Sequence, residues 1–292
     1  MFAKILSVVF PIFALVMLGY LYGRRHRPDM AAANRLNLEM FTPALIFSVL
    51  AGKDFQLAEY GSLALGALVI VLGSGLIGWP VARYAGWQLK TFLPPLMFTN
   101  SGNMGLPLAL FAFGEAALPA AVVMFLVENV LHFTVGNAML EGRVHPGVLL
   151  RMPMLVATLL GLIVALTDFQ VWPPLASAID LLGQVAIPLM LVALGVRMTG
   201  VDFSEWRMGL TGALLCPLAG LAIALPYAWI AGLNGQAFDQ LLLFAALPPA
   251  VLNFLIAERF NQEPRRVAAV VLMGNAASLM VIPLLLSVLY RA

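Results

Sequence analysis

The chain has 292 residues, of which 62% are hydrophobic and 10% charged, where a soluble domain carries about 25% charged residues. That balance excludes a soluble globular protein and implies a polytopic membrane protein; the net charge of +2 gives no case for a nucleic-acid partner. The single cysteine, Cys216, excludes an internal disulfide framework and any multi-cysteine metal site.

A membrane span needs about 20 mostly apolar residues. Ten stretches meet that need: 2–22, 33–51, 60–83, 91–113, 117–140, 148–167, 173–196, 207–231, 238–258 and 266–290. The first is followed, not preceded, by the basic run Arg24, Arg25, His26 and Arg27. A cleavable signal peptide has the opposite order, so the span is expected to be retained. The second span holds Glu39 four residues before Pro43.

The fourth span is the one the chain is organised around. Its stretch 99–114 reads TNSGNMGLPLALFAFG and sets Asn100, Ser101, Gly102, Asn103, Gly105 and Pro107 near mid-span. Asn competes for backbone hydrogen bonds, Gly weakens helix interiors and Pro removes a donor. Backbone groups freed at membrane depth survive only inside protein or beside a wet cavity. The pattern predicts a broken helix, with one half to about Phe98 and a second entered through Leu106-Pro107, where Pro suits a first turn. The fifth span carries Glu128 and His132 at i and i+4, hence on one face. The ninth reads FDQLLLFAALPPAVLNFLIAERF, with Pro248-Pro249 at mid-span and Asn253 just beyond. The linkers are too short to insert a soluble domain.

Basic residues set the orientation. The loops and helix ends after spans 1, 3, 5, 7 and 9 hold 13 of the 16 Lys and Arg, while the other side holds Lys4, Lys53 and Arg291. Both termini are therefore expected outside the cytoplasm of an inner membrane. The halves 1–147 and 148–292 also match: Pro11 and Gly19 with Pro153 and Gly161, Pro43 with Pro188, Pro80 with Pro226, and AAVV at 120–123 with 268–271. The offsets are 142, 145, 146 and 148. Five spans per repeat is odd, so the second copy is expected to be inverted. Inverted repeats with two corresponding broken spans point to a secondary transporter.

GLPLALFAFGEAAL in span 4, LPPAVLNFLIAERF in span 9, and PIFALVMLGYLYGR with LNLEMFTPALIFSVL near the start resemble the auxin efflux carrier family, in its bacterial malate or malonate permease-like branch. The resemblance covers the whole chain. It implies an all-α membrane fold similar to bile-acid sodium symporters. Spans 1, 2, 6 and 7 would form a scaffold. Spans 3–5 and 8–10 would form a transport domain moving as an elevator, with spans 4 and 9 crossing at their breaks. A homodimer through the scaffold helices is expected, and no cofactor or metal. The long central cytosolic loop of the plant carriers is absent, since only about Glu141 to Gly147 stands there.

At such a crossing two helix N-termini face one point, each bringing free N–H groups and about half a positive charge. That suits an anion without a buried cation. Asn100, Asn103 and Asn253 can donate amide N–H, and Ser101 a hydroxyl, with Pro107, Pro248 and Pro249 shaping the breaks. The resemblance implies that an Asn of the span 4 break contacts the substrate carboxylate, and Asn100 and Asn103 both match it. The alternative is that these amides only satisfy the broken backbone. Glu128 with His132 reads either as a proton-coupling element or as a Glu–His hydrogen bond tying span 5 to a neighbour. Glu39 either senses protons or lines a cytoplasmic vestibule, with Gln184 as its counterpart before Pro188. Asn275 and Ser278 of span 10 stand at a depth similar to Glu128, and Asp180 near the outer mouth.

The expected function is secondary transport of a small organic anion, with a sodium-coupled symporter of bile-acid type as the alternative; proton, sodium or no coupling ion all stay open on the sequence. A sodium/proton antiporter would show paired acidic residues at mid-span, and none occurs. No HExxH or acid-rich motif is present and the three His are scattered, so an enzyme is not expected.

Overall fold

The computed structural model describes residues 2–52, 57–142, 147, 152–167, 169–200 and 204–290. Lys53, Arg143, Arg151 and Arg291 of the charge count lie outside them, as does Val148 at the junction expected between the halves. The described residues form helices and one isolated two-residue bridge. In order the helices are α1 Phe2–His26, α2 Ala31–Leu36, α3 Thr42–Leu50, α4 Gly61–Tyr84, α5 Leu89–Met97, α6 Leu106–Phe113, α7 Leu118–Leu131, α8 Asn137–Glu141, α9 Pro153–Leu166, α10 Pro173–Arg197, α11 Trp206–Ile230, α12 Gly235–Ala245, α13 Val251–Arg259 and α14 Pro264–Leu289. π turns at Asn37–Phe41, Ser101–Gly105 and His132–Gly136 join α2 to α3, lead into α6, and join α7 to α8.

Six helical stretches among these are long and apolar enough to cross a membrane uninterrupted. They are Ala3–His26, Gly61–Tyr84, Glu115–Glu141, Pro173–Arg197, Trp206–Ile230 and Pro264–Leu289. The difference from ten apolar stretches has local causes. The second is divided at the π turn Asn37–Phe41, the fourth and ninth are broken, and the described part of the sixth, α9, has 14 residues. Pro punctuates the starts: Pro43, Pro107, Pro119, Pro153, Pro173 and Pro264 sit in first turns, where the missing N–H has no intrahelical partner to lose. Large apolar side chains also point outward, among them Phe10, Leu76, Trp229, Met280 and Leu284. That is the surface expected of helices bathed in lipid.

The chain packs into two compact units. One comprises Met1–Phe10, Ser62–Val144 and Gly200–Ala292, the other Pro11–Gly61 and His145–Thr199. In the first, α11 packs along α14, and α5 touches α11, α13 and α14. Its core includes Phe92, Leu96, Phe98 and Cys216. Near its end of α14, Lys4 Nζ lies 4.0 Å from the centroid of the Tyr290 ring, and Tyr290 donates to Ala112 O.

In the second unit α3 packs on α9 and α10. The α3–α10 contact depends on Gly183, where a Cβ would stand 2.9 Å from both N and Cα of Leu45. Gly183→Val must therefore push two helix backbones apart, an overpacking cost of about 1–3 kcal/mol. The expected result is a Tm lower by several degrees in detergent, read by tryptophan fluorescence on heating. Here too Ser48 donates to Asp180 Oδ1 at 3.1 Å, and Gln184 donates to Asp180 Oδ2 at 2.8 Å.

Candidate functional site

Both helix breaks fall in the first unit, and they pair with each other. After α5 the chain turns extended at Phe98 (φ −106°, ψ 107°) and enters the π turn at Ser101. After α12 it runs through Leu247, Pro248 and Pro249 to an extended Ala250 (φ −65°, ψ 138°), and α13 begins. Thr99 and Pro249 lie opposite as an antiparallel bridge. Asn100 N donates to Pro248 O at 2.7 Å, and Ala250 N donates to Phe98 O at 2.9 Å.

These two bonds flank the Thr99–Pro249 pair. It is therefore the non-hydrogen-bonded type, whose own N–H and C=O groups point away from each other. That explains why Pro249, with no N–H, fits the pair without leaving a lost bond. The outward groups are met by side chains. Thr99 N donates to Glu128 Oε1, and Thr99 Oγ1 bonds Glu128 Oε2 at 3.2 Å. Pro249 O accepts from Asn275 Nδ2 at 2.9 Å. Asn275 also bonds Val271 O, and its Oδ1 accepts from Asn100 Nδ2 at 2.9 Å, so one side chain of α14 ties both breaks together. Ser278 Oγ donates to Asn275 O. Gly274, one residue earlier, lets α14 lie against the Pro249 ring.

Asn253, on the first turn of α13, donates to Phe98 O at 2.8 Å and Ala250 O at 3.0 Å. Both its donor hydrogens thus serve backbone carbonyls. His132 stacks on Phe98, centroids 4.1 Å apart and planes 5° apart. Glu128 and His132 share a helix face as expected, yet make no Glu–His hydrogen bond among the described residues. Each instead grips a residue of the first break, Thr99 and Phe98. The structure corrects that alternative: the polar partner of Glu128 is the break itself.

Asn103 stands apart from the other amides. It sits half-buried in the π turn, and its side chain makes no hydrogen bond among the described residues. Asn100 O takes the N–H groups of Met104 and Gly105. The N–H groups of Ser101, Gly102 and Asn103 make no bond among the described residues, and neither do those of Val251 and Leu252 at the start of α13. Both helical segments start two residues past the bridge, about 7 Å along an extended chain. Because the bridged strands are antiparallel, the two N-termini approach the pairing from opposite sides. Among the described residues the arrangement offers six free N–H groups or amide donors and no bonded cation, which is what a carboxylate needs.

Glu39 has a different setting. It lies in the second unit, in the π turn Asn37–Phe41, with its Oε1 3.0 Å from Arg35 Nε and its side chain 52% exposed. Pro107 is buried in the first turn of α6, and Ser101 is buried beside Glu128. Among the described residues no three His, Cys, Asp or Glu gather as a metal site. One participant escaped the sequence reading as a site residue: Thr99, which bonds Glu128 through backbone and side chain.

The family model described as "Membrane transport protein", that of the auxin efflux carriers, matches residues 4–149 and 146–286. The chain belongs to this family. It is a multi-pass membrane transporter. A Rhizobium meliloti protein named "Putative malonate transporter" is 29% identical to it, the alignment covering 94% of this chain and 93% of the relative. An uncharacterized transporter of Methanocaldococcus jannaschii is 21% identical over 96% and 97% of the two chains. One of Escherichia coli K12 is 23% identical over 87% and 88%.

Proposed function

We propose that this transporter carries a small carboxylate across the membrane and binds it where the two helix breaks pair. The observation that carries this is the donor set at the pairing that no protein group takes up: the Asn103 amide and the N–H groups of two helix N-termini, with no Lys or Arg bonded there among the described residues. A carboxylate held by hydrogen bonds and dipoles can bind and still leave, as a carrier requires. Malonate is the first compound to test, given the name of the Rhizobium relative.

Asn103 is the Asn that contacts the substrate. Asn100 and Asn253 hold the breaks in place, since their donors already serve Asn275, Phe98 and Ala250. Ser101, Pro107, Pro248 and Pro249 shape the site around it. Ten spans in two inverted halves underlie the pairing, and the units support this. The first takes its helices from spans 3–5 and 8–10 and the second from spans 1, 2, 6 and 7, apart from the first ten residues. The first unit is the moving transport domain of an elevator and the second the scaffold, which also supplies the contact of a homodimer. Both termini lie outside the cytoplasm of the inner membrane.

Glu128 is the coupling residue, with the proton as the coupling ion. It holds Thr99 two residues from Ser101, so its charge state and the substrate act on the same piece of backbone. The proposal is tested by carboxylate affinity in Asn103→Ala. Loss of one donor to a bound charge costs about 1.5–3 kcal/mol, or roughly ten- to a hundredfold. The expected result is that loss for malonate, measured by titration calorimetry on folded protein, with an unchanged Tm because Asn103 holds nothing else. Unchanged affinity places the carboxylate away from the π turn.

A further inference from the structure

Gln240 lies on α12, five residues before that helix ends, and its Oε1 is buried with no hydrogen-bond partner among the described residues. It lines a cavity of about 10 Å³ together with Ser101, Gly105, Ala121, Met124 and Leu247. That is the space of one water molecule and too little for a carboxylate. Ser101 and Gln240 are the polar side chains of its wall. The Ser101 side chain also stands beside the carboxyl group of Glu128. The other groups on that carboxyl are the N–H and hydroxyl of Thr99, which belong to the bridge. Of the three, only Ser101 reaches this cavity.

We propose that the cavity holds one water molecule, donating to Gln240 Oε1 and hydrogen-bonded to Ser101 Oγ, and that Glu128 exchanges its proton with solvent through it. The inference rests on Glu128 being the coupling residue. A hydronium reaching the cavity gives a proton to Ser101 Oγ as the Ser101 hydroxyl proton passes to the Glu128 carboxylate. Neutral water, an intact hydroxyl and a neutral carboxyl remain, and release is the reverse. Gln240 stays an amide throughout and acts as a positioning residue, because an acceptor in an otherwise apolar wall is what keeps a water there. The other titratable groups around Glu128 are His132, stacked on Phe98, and Cys216 of α11, whose Sγ faces the carbonyls of Pro95, Leu96 and Leu247. Neither lines the cavity. Asp239, next to Gln240, has Lys4 and Tyr290 as its charged and titratable neighbours.

Two measurements on the full-length protein test this. A high-resolution cryo-EM map of the wild type should show a water within about 3.2 Å of both Gln240 Oε1 and Ser101 Oγ. In proteoliposomes, Gln240→Leu should slow proton-driven accumulation of labelled malonate at least about tenfold while counterflow exchange, which moves no net proton, stays near wild type. Ala121→Val fills the same cavity with Gln240 intact and should reproduce the loss, which covers a Gln240 variant that does not fold. An empty cavity in the map, or wild-type accumulation in either folded variant, overturns the water route. Normal accumulation in Glu128→Gln overturns the coupling role instead, whatever Gln240 does, so the two failures are distinguishable.

Discussion

Glu128→Gln is expected to abolish uphill accumulation of the transported carboxylate while leaving counterflow exchange largely intact. Glu128 is 2% exposed and holds no cation; its carboxyl bonds the backbone and hydroxyl of Thr99. A carboxyl in that place can change charge, and a Gln of nearly the same shape cannot. The Gln side-chain oxygen can still accept from Thr99 N, so the pairing of the breaks survives and substrate can still cross in exchange. On the proposed coupling, what is lost is the proton that makes the movement uphill. With an imposed pH gradient the wild type should accumulate malonate above equilibrium, and the variant should only equilibrate it. Normal accumulation in the variant would make Glu128 a purely structural clamp on the first break.

The largest loss of stability is expected from Asn275→Leu. Asn275 is 3% exposed and bonds Pro249 O, Val271 O and Asn100 Nδ2. Leu leaves at least the Pro249 carbonyl and the Asn100 amide buried without partners. At about 1–3 kcal/mol for each orphaned group, the cost is roughly 2–6 kcal/mol. Folded proteins hold only about 5–15 kcal/mol in all. The variant should therefore melt far below the wild type in detergent, or elute as aggregate on size exclusion. Asn103→Ala should do neither. A wild-type Tm in Asn275→Leu would mean that the two breaks hold together without that tie.

The breaks themselves were legible in the sequence because their causes are local. Asn100, Gly102, Gly105 and Pro107 in one apolar span, and Pro248-Pro249 in another, disfavour one continuous helix, and the structure ends α5 at Met97 and α12 at Ala245, with helical backbone resuming at Ser101, ahead of the Leu106-Pro107 entry the sequence suggested. The roles of the amides were not legible. Asn100, Asn103 and Asn253 look alike as residues, and only the pairing of Thr99 with Pro249 decides which donors are already taken. The same holds for Glu128. Its i, i+4 spacing with His132 was visible, but its partner is 29 residues away, at a backbone N–H that the antiparallel pair turns outward. Glu39 stood out as a carboxylate in an apolar stretch, yet Arg35 one turn earlier accounts for it. The π turns at Asn37, Ser101 and His132 left no sequence signal, because one inserted residue shifts hydrogen bonds without changing composition.

The most direct measurement is a cryo-EM structure of the transporter with saturating malonate, the concentration set beforehand by calorimetry. A carboxylate should appear at the paired breaks, with an oxygen within about 3.2 Å of Asn103 Nδ2 and others facing the free N–H groups of Ser101, Gly102, Val251 or Leu252. Density for malonate in the second unit near Glu39 and Arg35, with the breaks unoccupied, would contradict it.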